Sequence, residues 1–309
     1  MAKRRRKKAL QGTIKSVLAI VCLITAFFIY KCYGPGNGEN GNYEIPEGSV
    51  EFHFIDIGQG DAELILVDDK AILIDTGNIG SDYREKLTGY LEKLNITELE
   101  YFIATHPDSD HIGSAAYVVE NYDINNVIMS PKEHTSKTYL NFISALEEKE
   151  NINVINAQDK LGECIYVGEL ELKILGPIGD VEKLDNNNAS VVIIARWGNT
   201  KVLLTGDAEK EAEDSIVGNY AAELDCDVLK VGHHGSHSSS QRSFIRYAKP
   251  EYAIISCGAD NDYGHPHDET LSTLEYYNVE VHRTDLEGSI VVTTDGEKIT
   301  IKSEKSLQK

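Results

Sequence analysis

The chain has 309 residues, 41% of them hydrophobic, which is enough apolar material for one large domain or two small ones and excludes an intrinsically disordered protein. Lysine and arginine total 30 against 50 aspartates and glutamates, a formal net charge of −20. Eight of the basic residues fall in the first 31 positions, which hold no acid, so the remainder sets 22 basic side chains against 50 acidic ones and lacks the basic footprint of non-specific nucleic-acid binding.

In chain order, the first element is a basic block, Lys3 to Lys8, followed by an apolar run from Ile14 to Tyr30. Seventeen residues reach the short end of a membrane-spanning helix, usually about 20 residues with a range of roughly 17–25. A cleaved signal peptide would end in small residues, whereas this run ends Phe27-Phe28-Ile29-Tyr30-Lys31. The pattern predicts a cytoplasmic segment over 1–12, an uncleaved transmembrane anchor over 13–31 and a chain exported beyond it, with the positive end inside. The glycine- and asparagine-rich stretch from Gly34 to Asn42 predicts a flexible linker over 32–48, and the folded domain is expected over 49–304. Cys164, Cys226 and Cys257 are too sparse for a disulfide framework.

Within the domain, strand-length apolar runs at 51–57, 63–67 and 71–74 are spaced as in an antiparallel meander, and a helix is predicted over 82–94. A strand at 99–104 and helices at 111–121 and 136–148 follow. The second half repeats the plan, with strands at 167–175, 190–196, 201–204, 228–231 and 252–256 and helices at 209–219, 239–247 and 269–276. Two meander-plus-helix halves predict an α/β fold of four layers, αββα, with two sheets face to face and helices outside.

Polar clusters stand at the strand ends. His106-Pro107-Asp108-Ser109-Asp110-His111 places two imidazoles and two carboxylates in six positions directly after a strand, a density suited to two neighbouring cations. A solvated acidic turn is the plainer reading of that cluster alone. Asp207 closes a strand in a carboxylate that could bridge two cations about 3.5–4 Å apart. Histidines recur in Gly232-His233-His234-Gly235-Ser236-His237 and Gly264-His265-Pro266-His267, so seven of the ten fall in three loops, each after a strand. Asp56, Asp61 and Asp75 stand in early carboxylate turns, and Asp75 is a candidate to orient a ligating histidine.

The motif His-x-Asp-x-Asp-His at 106–111, Gly206-Asp207 and the later histidine loops together resemble the metallo-β-lactamase superfamily. The words Asp56-Ile-Gly-Gln-Gly-Asp61, Asp185-Asn-Asn-Asn-Ala-Ser190, Lys230-Val-Gly-His-His-Gly-Ser236 and Tyr263-Gly-His-Pro266 are similar to its competence-type branch. That branch holds the lactamase-like domain of the DNA-uptake channel ComEC, stand-alone relatives and a choline-phosphate esterase acting on teichoic acid. The resemblance implies two divalent ions, zinc or manganese, and no small organic cofactor. His106 and Asp108 would hold one ion, Asp110 and His111 the other, with Asp207 between them; the motif leaves open which of His233, His234 and His265 complete the set, and His234 and His265 are the expected ligands. Asp110 would also hold the attacking water, and His233 would meet the substrate or leaving group. Asp56, Asp61, Asp75, Asn188 and Ser236 would stand behind the ligands or touch substrate. Asp108 stands where most of the superfamily has histidine, and Asp185 to Asn188 occupy the place of its mid-chain histidine, which shifts the donor set from nitrogen towards oxygen and manganese.

The expectation is therefore a membrane-anchored, extracytoplasmic dinuclear hydrolase that cleaves phosphodiesters, DNA first, in relation to uptake. A cell-wall phosphodiesterase of the choline-phosphate esterase kind is the alternative enzyme, and a non-catalytic metal-binding docking module the alternative of another class.

Overall fold

The computed structural model describes residues 43 and 45–306, so the expected cytoplasmic segment and anchor lie outside the described residues. Among the described residues no helix is long and apolar enough to cross a membrane. The first half runs through strands β1 (Val50–Phe54), β2 (Glu63–Val67), β3 (Lys70–Ile74), β4 (Glu98–Ala104), β5 (Asp123–Met129) and β6 (Asn153–Asn156). Helices α1 (Ser81–Lys93), α2 (Ser109–Ile112), α3 (Ala115–Asn121) and α4 (Lys137–Glu147) lie between them. The second half adds β7 (Cys164–Val167), β8 (Leu170–Gly176), β9 (Val192–Trp197), β10 (Thr200–Leu204), β11 (Val228–Lys230), β12 (Tyr252–Ile255) and β13 (Glu280–Arg283), with α5 (Lys210–Tyr220), α6 (Arg242–Ala248), α7 (Asp268–Tyr276) and the short α8 (Thr284–Glu287). The chain then returns to the first sheet as β14 (Ile290–Thr294) and β15 (Ile299–Ser303).

The sheets have the orders β15-β14-β1-β2-β3-β4-β5-β6 and β13-β12-β11-β10-β9-β8-β7. Each begins as an antiparallel meander and turns parallel, from β3 onward in the first and from β10 onward in the second. Alternation along the strands separates the layers. Phe52, Phe54, Ile65, Ile72, Ile74 and Ile103 pack against Ile193, Val202, Leu204 and Ile254 between the sheets. Their strand neighbours Leu64, Leu66, Leu73, Phe102 and Val127 face outward onto Leu87 and Leu91 of α1, Val118 of α3 and Phe142 of α4. Leu203, Leu229 and Ile255 do the same beneath Ile216, Phe244 and Leu274 of α5, α6 and α7. Strands covered on both faces read as continuous apolar runs, which is how these do read. The expected αββα arrangement of two sheets is found.

Two elements differ from expectation for local reasons. The single helix predicted over 111–121 is two, α2 and α3. Gly113 lies against the backbone of Asn78 too closely for any Cβ, its N–H donates to the Gly77 carbonyl (2.8 Å), and Ser114 N–H donates to Thr76 Oγ1 (3.2 Å), so the chain breaks where it docks on that loop. The strand predicted over 167–175 is the hairpin β7–β8, turned at Gly168 with φ +59°. The first sheet is completed by β5, β6, β14 and β15, for which no sequence expectation was formed.

Candidate metal centre

In parallel strands the carboxyl ends open a crevice where side chains can converge. His106 follows β4, Asp207 follows β10, His233 and His234 follow β11, and His265 lies in the loop after β12. The backbone is set by those loops. His233 and His234 sit in the left-handed region (φ 49°, ψ 46° and φ 53°, ψ 24°), as does Asp75 (φ 56°), a conformation that non-glycine residues hold where the surroundings enforce it, commonly at functional sites. Gly206, at φ +52°, lets the chain turn hard against Thr105 so that Asp207 points back to the first sheet.

Five of the seven expected ligands come together: His106, Asp110, His111, Asp207 and His234. Their ligand atoms form the sets His106–His111–Asp207 and Asp110–His111–His234, each within 4.8 Å. His111 Nε2 is 3.2 Å from Asp207 Oδ1, His234 Nε2 is 3.3 Å from Asp110 Oδ2 and 3.7 Å from Asp207 Oδ2, and His106 Nε2 is 3.9 Å from the same Asp207 oxygen. His106 Nε2, His111 Nε2, His234 Nε2 and Asp207 Oδ1 are all buried without a hydrogen-bond partner. Buried polar atoms are otherwise almost always paired, so four orphans aimed at one spot fit divalent ions held by nitrogen and oxygen. The same charges set the protonation of these groups. Burial opposes the imidazolium of His111, yet Asp207 and Asp75 hold its pKa well above the usual histidine value, and His234 is pushed up to about 10 against burial by Asp207 and Asp61. Burial, with His111 beside it, lowers His106. Asp207 and Asp110 lie below the usual carboxylate range, burial being outweighed in Asp207 mainly by His111 and in Asp110 mainly by the neighbouring His234.

Asp108 stands at the rim, Oδ2 3.7 Å from His106 Nε2, while Oδ1 accepts from Asn186 Nδ2 at 2.6 Å. Asn186 thus comes from the segment in the place of the mid-chain histidine. His265 is not in the tight sets; its ring lies 5.4 Å from that of His233 and 6.1 Å from that of His234, and burial lowers its pKa to about 4. His233 faces the mouth, Nε2 3.8 Å from Asp207 Oδ2, with Nδ1 fixed on Glu209 Oε1 at 2.9 Å.

Behind the ligands, Asp75 bridges His111 Nδ1 (2.7 Å) and the backbone and hydroxyl of Thr105 (2.8 and 2.6 Å). Asp61 Oδ1 lies 3.2 Å from His234 Nδ1, which also faces the Ser256 carbonyl at 3.0 Å. Three of the expected residues are not gathered at the ligands. Asp56 Oδ1 caps its own turn through Gly58 N–H, because a carboxylate two residues before a glycine closes an Asx turn. Asn188 binds Asp185 and accepts from Ala212 N–H at 2.9 Å, tying its loop to α5. Ser236 Oγ pairs with Ser238 Oγ at 2.8 Å, and Ser238 in turn donates to Glu209.

Sequence reading missed Glu209, Asn186, Thr105 and Lys230. Lys230 is buried, 1% exposed, with Nζ 2.7 Å from Asp61 Oδ2 and 3.9 Å from Glu63 Oε1. Burial works against its charge, but Asp61 and Glu63 hold its pKa up, while burial and Asp61 raise Glu63 well above its usual value. A lysine closing the apolar strand just before the histidine pair was the available signal.

The chain belongs to the metallo-β-lactamase superfamily, whose profile matches residues 55–259. It is 32% identical to ComE operon protein 3 of Bacillus subtilis over 87% of this chain and 35% of that protein. It is 31% identical to Recombination protein 2 of Haemophilus influenzae over 80% of this chain and 29% of that protein. The chain thus spans about a third of the length of these curated relatives. Among solved structures, the metallo-β-lactamase fold protein YhfI from Bacillus subtilis superposes with a TM-score of 0.54 over 80% of this chain and 99% of that one, at 15% identity, a likeness of fold alone.

Proposed function

We propose that this superfamily member is a dinuclear metal-dependent phosphodiesterase acting on nucleic acid, held at the membrane by residues 13–31 with its domain outside the cytoplasm. The observation that carries the hydrolase reading is the convergence of four buried, unpartnered ligand atoms at Asp207. The names of the relatives, an operon protein of the ComE set and a recombination protein, support DNA as the substrate. His106 and Asp108 would hold one ion, Asp110, His111 and His234 the other, and Asp207 both. Two such ions supply Lewis acidity at a phosphoryl oxygen and lower the pKa of a shared water. Asp110 orients the attacking water. His233, its Nδ1 locked on Glu209, presents Nε2 at the mouth to give a proton to the departing oxygen. Asp75 and Asp61 keep the His111 and His234 rings in register. A choline-bearing cell-wall phosphodiester is the second reading, favoured by the 50 acidic side chains, which attract its quaternary ammonium and repel a bare nucleic-acid backbone.

The test uses the full-length chain in detergent after growth with zinc and manganese. Elemental analysis should find two ions per chain, and single-stranded DNA should be cleaved in preference to choline-bearing teichoic acid and a β-lactam. Asp110→Asn should abolish cleavage while the thermal transition persists. Fewer than one ion per chain overturns the metal centre, and preference for teichoic acid overturns the nucleic-acid reading. External protease should digest the domain in intact spheroplasts; protection overturns the location.

A further inference from the structure

Beside the metal centre lies a cavity of about 460 Å³, walled by the Asp56–Asp61 turn, α1 and the loop after β12. Tyr263 stands on its wall. Its ring is stacked on His265, centroids 5.6 Å apart and planes 20° from parallel, and the side chain is 63% exposed. One face of the ring is therefore covered by His265 and the other is open. His265 leans in turn on His233, the proton donor of the proposed reaction, with ring centroids 5.4 Å apart. An aromatic step thus leads from the departing oxygen into the cavity.

Gln59 forms another part of the wall. Its Oε1 accepts from Gly258 N–H at 3.1 Å, which fixes the amide with Nε2 as a donor. That Nε2 is buried without a partner, in a residue only 8% exposed. A buried donor with no acceptor is costly unless a ligand brings one. The remaining lining groups sort ligands by charge. Asp56, Asp260, Asp262 and Asp285 line the cavity, with Lys86 as the cation among them. Four carboxylates repel a backbone phosphate, yet a carboxylate accepts hydrogen bonds from ring N–H and amino groups. The occupant that suits an open aromatic face, one fixed donor and surrounding acceptors is a flat, neutral heteroaromatic ring.

We propose that this cavity holds the nucleobase next to the scissile phosphate, stacked on Tyr263, with Gln59 donating to a base carbonyl or ring nitrogen. The inference rests on the nucleic-acid reading and extends it: the enzyme grips its strand by a base and not by phosphate charge alone. Base–aromatic stacking tolerates any sequence, because every base has a π-face.

The experiment compares fluorescein-labelled oligothymidine with an abasic phosphodiester oligomer of the same length and charge. Binding is read by anisotropy on the cleavage-dead Asp110→Asn full-length chain, and cleavage by kcat/KM on the active chain. The base-bearing oligomer should be favoured about tenfold in both readouts. Tyr263→Ala should erase that preference, and Tyr263→Phe, which keeps the ring, should retain it. Equal handling of the two oligomers by the wild type overturns the base pocket, and so does a Tyr263→Ala loss that falls equally on both. Failure to cleave either oligomer, with turnover of a cell-wall phosphodiester, instead overturns the nucleic-acid reading on which the pocket rests.

Discussion

The two walls of the candidate metal centre are built differently. On the first-sheet wall, His106, Asp108, Asp110 and His111 come from six consecutive residues, and their support is near at hand: Asp75 closes β3, next to β4, and binds both His111 and Thr105. On the second-sheet wall the candidate ligands are scattered, Asp207 after β10 and His234 after β11, and the support crosses between sheets. Asp61, which orients His234, enters from the first sheet and is anchored by Lys230 from the second, 169 residues away in sequence. A wall written in one stretch of chain carries its chemistry in its spacing. A wall assembled across the fold depends on partners that spacing does not reveal.

The sharpest test of that contrast lies at His233, whose partner Glu209 also belongs to the second wall. His233→Ala should lower turnover about 10²–10⁴-fold, the usual contribution of a positioned acid, with metal content unchanged by elemental analysis. Glu209→Gln should cost less, about 10-fold, because the ring keeps its place but loses its charged anchor. Loss of an ion in His233→Ala would move His233 into the ligand set and erase the division of labour between the two histidines.

The cross-sheet support is tested next, through stability. Lys230→Met leaves Asp61 buried without its cation and should destabilise the protein by about 3–5 kcal/mol, measured as a shift in the urea midpoint. Adding Asp61→Asn removes the orphaned charge and should recover most of that loss. The Ser256 carbonyl would still face His234 Nδ1, but the ring would lose the charge of Asp61, so metal affinity, measured by competition with a chelating dye, should stay about 10–100-fold weaker. If the double variant regains full affinity, the pair is a structural clamp and not a support for His234.

This asymmetry explains what the chain disclosed. The αββα layers were legible because strands covered on both faces are apolar throughout, and the gathering of His106, Asp110, His111, Asp207 and His234 was legible because each follows such a strand. The terminal strands β14 and β15 were not, since their place beside β1 is decided by long-range pairing, Val50 with Thr294 and Phe54 with Ile290. Lys230 and Glu209 escaped for the same reason: a lysine ending a strand and a glutamate opening a helix are ordinary residues until the fold brings Asp61 and His233 to them. Asp56 and Asn188 stand apart from that cluster of candidate ligands because each has a structural partner, Asp56 the Gly58 N–H of its own turn and Asn188 the Asp185 carboxylate and the Ala212 N–H of α5.

The smallest expected effect concerns the base of the second wall, the loop that carries Ser238 and Ser240. Glu213 of α5, buried beneath it, accepts from the N–H groups of Ser240 and of Gln241, the latter at 2.9 Å. Burial pushes its pKa from 4.5 up to about 8, against those two backbone donors, with Asp214 and Glu209 adding to the rise. A raised pKa means that the folded protein holds this proton more tightly than the unfolded chain does. The stability it contributes is therefore fully present below about pH 4.5 and is lost as the pH climbs to about 8, where the folded protein also ionises. Melting temperature should fall across that window, and Glu213→Gln, which keeps a neutral side chain at every pH, should remove that part of the slope and melt higher than wild type at pH 8.5. Difference curves between the two proteins cancel every other titrating group. A Glu213→Gln protein that melts below wild type at pH 8.5 would show that the ionised carboxylate is held by Ser240 and Gln241 and that the loop is pinned by charge, making this wall as firmly anchored as the first.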